Sequence, residues 1–319
     1  MGKLAFLFPG QASQYPGMGR DLAEHFPAAK RAFEEADRAA GFAISQLCFD
    51  GPEEALKQTE NTQPAILTVS TAAFRALEER GIAPDFVAGH SLGEYSALVA
   101  AGGLEFAEAV QLVRKRGRYM QEASPAGEGA MAAIMGLAPA EVAGICKKAA
   151  QGEEVAPANM NSPEQTVISG TAAAVKRAVE IASAEGAKRA VVLPVSAPFH
   201  CALMKPAQDK LEKDLRAAKF TDLRFPLVTN VDADAITKAE EAREALIGQV
   251  CMPVRWLDSV RELLEQGVTV FVEVGPGRVL CGLLRQIDRS VRCLNVEDSA
   301  GLAATIEKIA QARAEVQEA

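Results

Sequence analysis

The chain has 319 residues, of which 49% are hydrophobic and 24% are charged. These totals are typical of a soluble globular protein with one large domain, or with one domain that carries a smaller insert. The net charge of −8 argues against nucleic acid as the main partner, and no apolar run reaches the roughly 20 residues that a membrane helix needs. The first residues, MGKLAFLFPGQASQ, lack the pattern of a signal peptide, so we expect a cytoplasmic protein.

Strands and helices alternate along the first part of the chain. The apolar run KLAFLF at 3–8 predicts a buried strand that ends at the turn PGQ. Helical periods extend over about 18–40, 62–80 and 105–122, and a short strand is predicted at 85–88. Such alternation indicates an α/β fold whose mostly parallel sheet is covered on both faces.

The pattern changes after Pro125, where the segments follow the order strand, helix, strand, strand, helix, strand. This order is that of the ferredoxin-like βαββαβ unit. We therefore predict a small inserted domain at 127–196, within a larger core that is formed by 1–126 and 197–319.

The stretch GHSLG at 89–93 fits the pattern G-x-S-x-G between a predicted strand and a predicted helix. Small residues on both sides of Ser91 permit a sharp turn that lifts its hydroxyl clear of the sheet edge. The turn also places Ser91 at a helix N-terminus, where the N–H of Leu92 can bind an oxyanion. The pattern predicts a serine nucleophile, and the alternative is a serine that only caps the helix.

A serine nucleophile needs a base, and the chain has three histidines. His25 lies in a helix that looks exposed, and the side chain of His90 leaves the turn in another direction from that of Ser91. Elimination leaves His200, for which a capping or core role is the alternative. No carboxylate between Ser91 and His200 follows a predicted core strand. We therefore expect a backbone carbonyl or an amide, rather than an aspartate, to orient His200.

The predicted helix QLVRKRGRYMQ carries cations at positions 114, 115, 116 and 118. Positions 114 and 118 share one face, whereas Arg116 points nearly the opposite way and is expected to face inward. A buried arginine must be paired, and a guanidinium beside a serine suits a substrate that carries its own carboxylate. The alternative is an ordinary solvated helix face.

The six cysteines include no C-x-x-C pair, so the sequence predicts neither a zinc site nor a redox motif. We expect most of them to be buried small hydrophobes, and we expect no bound metal or redox cofactor.

Motifs spread over nearly the whole chain are FPGQASQ at 8–14, GHSLGEY at 89–95, RG at 116–117 with MQEA after it, NSP at 161–163, PFHCALM at 198–204, NVDA at 230–233, QV with PVRW at 249–256, and EVGPG at 273–277. Together they resemble the malonyl-CoA:acyl-carrier-protein transacylases of type II fatty acid synthesis and the related acyltransferase domains of polyketide synthases. The resemblance implies an α/β-hydrolase-like core with a ferredoxin-like insert.

The resemblance also implies roles for individual residues. Ser91 corresponds to the acylated nucleophile, His200 to the general base and Arg116 to the partner of the malonyl carboxylate. The backbone N–H groups of Gln11 and Leu92 correspond to the oxyanion hole.

Three further positions bear on the resemblance. Gln249 corresponds to the residue whose main-chain carbonyl orients His200. Phe199 and Leu92 match the versions that select malonyl groups, which makes Phe199 a substrate-binding residue. The family usually has Gly-Gln-Gly-Ser-Gln where this chain has alanine at position 12, and Ala12 would cost about 1 kcal/mol if the turn needs a positive φ there.

The implied reaction moves a malonyl group from malonyl-CoA through a malonyl-serine to the phosphopantetheine thiol of acyl carrier protein, and so supplies extender units for fatty acid synthesis. We expect a monomer. A basic docking patch for the carrier protein is expected among three clusters, which are 188–189, then 114, 115 and 118, and finally 285, 289 and 292.

Two other functions remain as alternatives. A serine thioesterase or esterase of the α/β-hydrolase type shares G-x-S-x-G, although the chain has no HGG-type oxyanion motif, and a patatin-like hydrolase would need Asp-Gly-Gly. A non-catalytic module that docks carrier proteins is the alternative from another class.

Overall fold

The computed structural model describes residues 2–125, 127–195 and 197–317, with the backbone alone for 312–317. Within these ranges the strands are β1 (Lys3–Phe8), β2 (Phe86–Gly89), β3 (Gly129–Met135), β4 (Val155–Ser162), β5 (Gln165–Thr171), β6 (Arg189–Val192), β7 (Leu227–Val228), β8 (Ala235–Ile236), β9 (Val268–Val274) and β10 (Arg292–Val296). The helices are α1 (Arg20–His25), α2 (Pro27–Ala40), α3 (Ile44–Asp50), α4 (Glu53–Leu56), α5 (Thr59–Glu78), α6 (Gly93–Ala100), α7 (Phe106–Glu122), α8 (Pro139–Ala150), α9 (Ala172–Ala184), α10 (Lys205–Ala217), α11 (Ala239–Gln249), α12 (Trp256–Glu265), α13 (Val279–Ile287) and α14 (Ser299–Gln317), with a 3₁₀ turn at Ala202–Met204.

The larger sheet has the strand order β10-β9-β1-β2-β7-β8. Its strands are parallel except for the β7–β8 pair. Strand β1 is buried from Leu4 to Phe8, as a continuous apolar run is when helices cover both faces of a parallel sheet. Helices α2, α5, α6 and α7 cover one face, and α12 and α13 cover the other. This mixed sheet confirms the predicted α/β class.

The smaller sheet is antiparallel, with the order β4-β5-β3-β6. Side chains alternate across β3. Ala132 and Ile134 pack under α8 and α9, whereas Met131 and Ala133 face the main core. The N–H of Met160 on the edge strand β4 donates to the carbonyl of Val254 at 2.9 Å, which joins the smaller sheet to the segment before α12. The predicted domain boundaries fall at Ala126 and Ser196, which lie outside the described residues.

Some local predictions need correction. The helical period over 18–40 is interrupted, because α1 ends at His25 and Pro27 begins α2, where a missing N–H costs nothing. The apolar segment FPLVTNV at 225–231 predicts a longer strand from its sequence, but β7 covers only two of these residues. The sequence patterns considered above also do not predict α12, although its buried positions 256, 260 and 263 have helical spacing.

The cysteines are also only partly as expected. Cys281 on α13 forms a disulfide with Cys293 on β10, a pairing that the spacing does not predict. The remaining cysteines are free, and Cys48, Cys146 and Cys201 are buried. None of the helices in the described ranges combines the length and apolar character that crossing a membrane requires.

The start of α6 lies so close to β1 that a Cβ at Gly93 would collide with the main-chain oxygen of Phe8. We expect Gly93→Ala to lower the free energy of unfolding by about 1–3 kcal/mol. Gly144 in α8 has open space around it, so Gly144→Ala should raise that free energy by about 0.5–1 kcal/mol. Urea denaturation of both variants measures the two effects, and equal stabilities would contradict the close approach.

Candidate active site

Ser91 stands at the turn between β2 and α6 with φ 52°, in the left-handed region. Glycine is required at 89, because a Cβ there would collide with the carbonyl group of Gly93. The side chain of Asn230 holds this turn through two hydrogen bonds. Its Oδ1 accepts from the Ser91 N–H at 2.7 Å, and its Nδ2 donates to the Gly89 carbonyl at 2.6 Å. A strained residue held by such contacts is typical of functional sites.

His200 lies beside Ser91, with 2.7 Å between Nε2 and the serine Oγ. Its Nδ1 is 2.9 Å from the main-chain carbonyl of Gln249. Since a carbonyl can only accept, Nδ1 carries the proton, and Nε2 is left to accept from the Ser91 hydroxyl. Burial and then the nearby Arg116 charge lower the pKa of His200 to about 3. The imidazole is therefore neutral near pH 7 and can act as a base.

Arg116 is only 1% exposed, and its side chain reaches the same serine. Its guanidinium donates to Gln63 Oε1 at 2.9 Å, to Gln249 Oε1 at 2.9 Å and to Ser91 Oγ at 3.1 Å. It also lies 5.5 Å from the ring centroid of Tyr95. These hydrogen-bond acceptors are all neutral, so the positive charge faces the serine without a carboxylate in direct contact.

Gln249 connects the base to the cation. Its main-chain carbonyl holds His200, and its Oε1 accepts from Arg116. Its Nε2 donates to the Ser91 carbonyl at 3.0 Å and to Glu94 Oε2 at 2.7 Å. The Gln249 side chain therefore fixes the position of the guanidinium relative to Ser91.

Glu94 lies in the first turn of α6 and is nevertheless 0% exposed. Helix α6 is buried along nearly its whole length, so even its first turn has no solvent face. Burial raises the pKa of Glu94 to about 7, against the effect of hydrogen bonds from Gln249 and Asn230. A charged residue in the apolar helix GEYSALVA is a signal that the sequence already carried.

The proposed oxyanion donors are the main-chain N–H groups of Gln11 and Leu92. Among the residues that the structure describes, neither N–H has a hydrogen-bond acceptor. The loop of Gln11 presses against the serine turn, since a Cβ at Gly10 would collide with the carbonyl oxygen of His90. Both donors therefore belong to segments adjoining Ser91, although the side chain of Leu92 is buried and does not line the cavity.

A cavity of about 240 Å³ opens onto these groups. The core contributes its polar end, which includes Gln11, Ser91, Arg116 and His200. The apolar walls come from both parts of the chain and consist of Met120, Met131, Val167, Leu193, Val195, Phe199, Val279, Leu280 and Leu283. The cavity is thus a mostly apolar channel with a serine, a neutral base and a cation in its lining.

The remaining histidines lie where the sequence places them. His25 is exposed and contacts Asp21. The Nε2 of His90 is 2.8 Å from Oδ1 of Asn161 on β4, so His90 joins the serine turn to the smaller sheet.

All seven residues that the sequence singles out, including the backbone donors, lie at or directly behind this cavity. Four polar residues of the site were assigned no role in advance, and they are Gln63, Glu94, Asn161 and Asn230. Asn161 and Asn230 belong to the recognised segments NSP and NVDA, whereas Gln63 carries no local motif.

Comparison with known proteins shows the family of this chain. A family model described as an acyl transferase domain matches residues 5–314. The chain belongs to the acyl transferase domain family. This acyl transferase is 51% identical over 299 residues to the malonyl CoA-acyl carrier protein transacylase of Bacillus subtilis (strain 168), a match that covers 93% of this chain and 94% of that protein.

Two solved structures resemble this acyl transferase closely. The malonyl CoA-acyl carrier protein transacylase of Coxiella burnetii superimposes with a TM-score of 0.94 at 47% identity, covering 96% of this chain and 97% of that one. A malonyl-transacylase in complex with a type II PKS acyl-carrier protein also gives 0.94, at 48% identity, covering 96% and 99% of the two chains. The family resemblance drawn from the motifs is thereby confirmed.

Ala12 of this acyl transferase adopts φ 83°, a conformation that favours glycine. The turn is stabilised locally, since the Ala12 N–H donates to Gln14 Oε1 at 2.8 Å. We expect Ala12→Gly to raise the free energy of unfolding by about 1 kcal/mol. As a control, Ala303→Gly at an exposed position within α14 should lower it by about 1 kcal/mol. Urea unfolding curves distinguish the two signs, and destabilisation by both changes would contradict the strain at 12.

Proposed function

We propose that this protein transfers a malonyl group from malonyl-CoA to the phosphopantetheine thiol of acyl carrier protein through a malonyl-serine. The observation that carries the proposal is that Ser91 Oγ lies within hydrogen-bond distance of both His200 Nε2 and the Arg116 guanidinium. The neighbouring base can activate the serine hydroxyl as a nucleophile. The buried cation can bind a carboxylate on the acyl group. The names of the relatives and the carrier-protein complex support the same reaction.

In the first half-reaction, His200 Nε2 removes the proton from Ser91 as Oγ attacks the thioester carbonyl. The N–H groups of Gln11 and Leu92 stabilise the oxyanion. When the C–S bond breaks, the proton on Nε2 passes to the sulfur, and CoA leaves as the free thiol. The malonyl group is then an ester of Ser91.

The second half-reaction is the reverse with a different thiol. His200 removes the proton from the phosphopantetheine thiol, whose sulfur attacks the malonyl ester. The C–O bond breaks, Ser91 recovers its proton from Nε2, and malonyl-carrier protein leaves. Over the ping-pong cycle, each proton that His200 removes is passed on, and the malonyl group moves from one sulfur to the other. No step is an oxidation or a reduction.

Arg116 provides the selection in this scheme. Its guanidinium can offer two parallel hydrogen bonds to the malonyl carboxylate. Its contact with the Ser91 hydroxyl supports this role, because the acyl group would be attached at that oxygen. Phe199 on the cavity wall limits the space for a branched acyl group. Both roles are consistent with malonyl-CoA as donor.

The finer description of the fold belongs to the same proposal. We treat 1–126 with 197–319 as an α/β-hydrolase-like core and 127–196 as a ferredoxin-like insert. The serine turn after a parallel strand supports the first part, and the strand order β4-β5-β3-β6 supports the second. The expectations of a cytoplasmic monomer stay predictions.

One of the three basic clusters best suits a carrier protein. Lys188 and Lys115 pair with Glu164 and Asp214, so their charge is partly neutralised. In the described part of the chain, no ion pair involves the cluster of Arg285, Arg289 and Arg292. Helix α13, which carries Arg285, also lines the cavity. We therefore favour this third cluster for an acidic partner.

Intact mass after mixing with malonyl-CoA tests the covalent step. We expect the protein to gain the mass of one malonyl group and Ser91→Ala to gain none. Free malonate without an adduct would instead indicate a thioesterase. Unchanged malonyl-CoA without an adduct would favour a non-catalytic docking module.

Arg116→Ala tests the selection of malonyl groups. Because hydrogen bonds to a charged group are worth roughly 1.5–3 kcal/mol each, malonyl transfer should fall by about 100-fold or more. Acetyl transfer should stay the same or rise. The control is Arg114→Ala on the same helix, since Arg114 bonds the Ala40 carbonyl away from the cavity. Equal losses of the malonyl and acetyl rates would refute the carboxylate role.

A further inference from the structure

We propose that Glu94 is a positioning residue that supplies the counter-charge of Arg116 and thereby tunes how tightly the site holds a carboxylate-bearing acyl group. This inference rests on the proposed malonyl transfer. It concerns a residue that lies behind the cavity and that the reaction scheme above does not use.

The first argument is geometric. Glu94 Oε2 accepts from Gln249 Nε2 at 2.7 Å and from the main-chain N–H of Asn230 at 3.1 Å. Gln249 in turn accepts from Arg116, and Asn230 accepts from the Ser91 N–H. Glu94 is therefore one residue removed from both the cation and the nucleophile, and it orients the amides that hold them.

The second argument concerns charge. Burying a carboxylate costs several kcal/mol, whereas a glutamine at 94 could accept the same two hydrogen bonds through one oxygen. Hydrogen bonding alone therefore does not call for an acid here. A carboxylate additionally offsets the buried charge of Arg116, which has neutral acceptors as its direct partners.

The charged and titratable groups that act on Glu94 come from several elements. Within the described residues they are Arg116 on α7, which favours its ionised form, Asp232 after β7, which disfavours it, and the neighbouring Tyr95 on α6. Burial raises the pKa of Glu94 to about 7, so the charge of its side chain changes near neutral pH. His200 and His90 have lowered pKa values, so both stay neutral there.

A malonyl group brings a second anion to the same guanidinium. Ionised Glu94 then repels the malonyl carboxylate, and protonated Glu94 does not. Binding of a malonyl group should therefore raise the pKa of Glu94, so that the protein takes up a proton. Malonyl should also bind more weakly as the pH rises through about 7. Acetyl lacks the charge and should show neither effect.

Glu94→Gln removes the charge and keeps the oxygen. We measure the acylation half-reaction by intact mass, with malonyl-CoA and acetyl-CoA, from about pH 6 to about pH 8.5. For the wild type, the half-saturating concentration of malonyl-CoA relative to acetyl-CoA should rise with pH. For Glu94→Gln this ratio should be flat and, at the high-pH end, lower by about fivefold or more.

Glu273→Gln is the matched control. Glu273 is also 0% exposed, with a pKa raised to about 7, but its carboxylate accepts from the N–H groups of Leu280 and Cys281 at the start of α13. It should keep the pH dependence of the wild type. The same flattening in both variants would overturn the specific role of Glu94.

Proton uptake provides a test that needs no change at Glu94. Calorimetric titration of Ser91→Ala with malonyl-CoA near pH 7, in buffers of different ionisation enthalpy, should reveal uptake of a fraction of one proton. Acetyl-CoA should cause none, and adding Glu94→Gln should abolish the uptake. If wild-type protein forms the malonyl ester but malonyl binding takes up no proton, this inference fails while the proposed function stands. If no malonyl ester forms, the proposed function itself fails.

Discussion

Arg116 keeps a positive charge inside the protein at 1% exposure, and a buried ion of this kind costs several kcal/mol unless it is fully bonded. Its partners come from α5 through Gln63, from the end of α11 through Gln249, and from the serine turn itself. Three segments that are far apart in sequence must therefore meet around one guanidinium. The positions of Ser91 and His200 depend on that meeting, because Gln249 also bonds both residues.

The two sheets divide the work at the cavity. The larger sheet presents polar groups at the ends of its strands, as open parallel sheets do. The smaller sheet contributes mainly apolar side chains such as Met131 and Val167, which line the cavity that also contains Ser91. The His90–Asn161 contact joins the two parts at the serine turn. A change in how the sheets lie against each other would therefore alter both the width of the channel and the support of the turn.

Physical patterns in the sequence located the parts of the site that depend on local geometry. Small residues around Ser91 predict a sharp turn, and the offset of Arg116 from its basic neighbours predicts its inward direction. The role of the Gln249 carbonyl was predicted only from the family resemblance. Every residue has a main-chain carbonyl, so the sequence alone does not single out this one. The sequence did not predict a role for Glu94, because a glutamate in the first turn of a helix usually faces solvent. Only the packing around α6 buries it. Strand β7 is shorter than predicted because main-chain groups of Thr229 and Asn230 bond side chains instead of continuing the sheet. The Thr229 carbonyl accepts from the Ser259 hydroxyl, and the Asn230 N–H donates to Glu94 Oε2.

The group that orients His200 is the carbonyl at the C-terminal end of α11. The last carbonyls of a helix have no partner within it, and they carry the negative end of its dipole. In the proposed reaction, the imidazolium of His200 is thus met by partial negative charge without a carboxylate. Every amino acid has this carbonyl, so exchanging a side chain cannot delete it. A mutation, whether neutral or selected for resistance to an inhibitor, can therefore remove the contact between this carbonyl and His200 only by moving the backbone or by replacing His200.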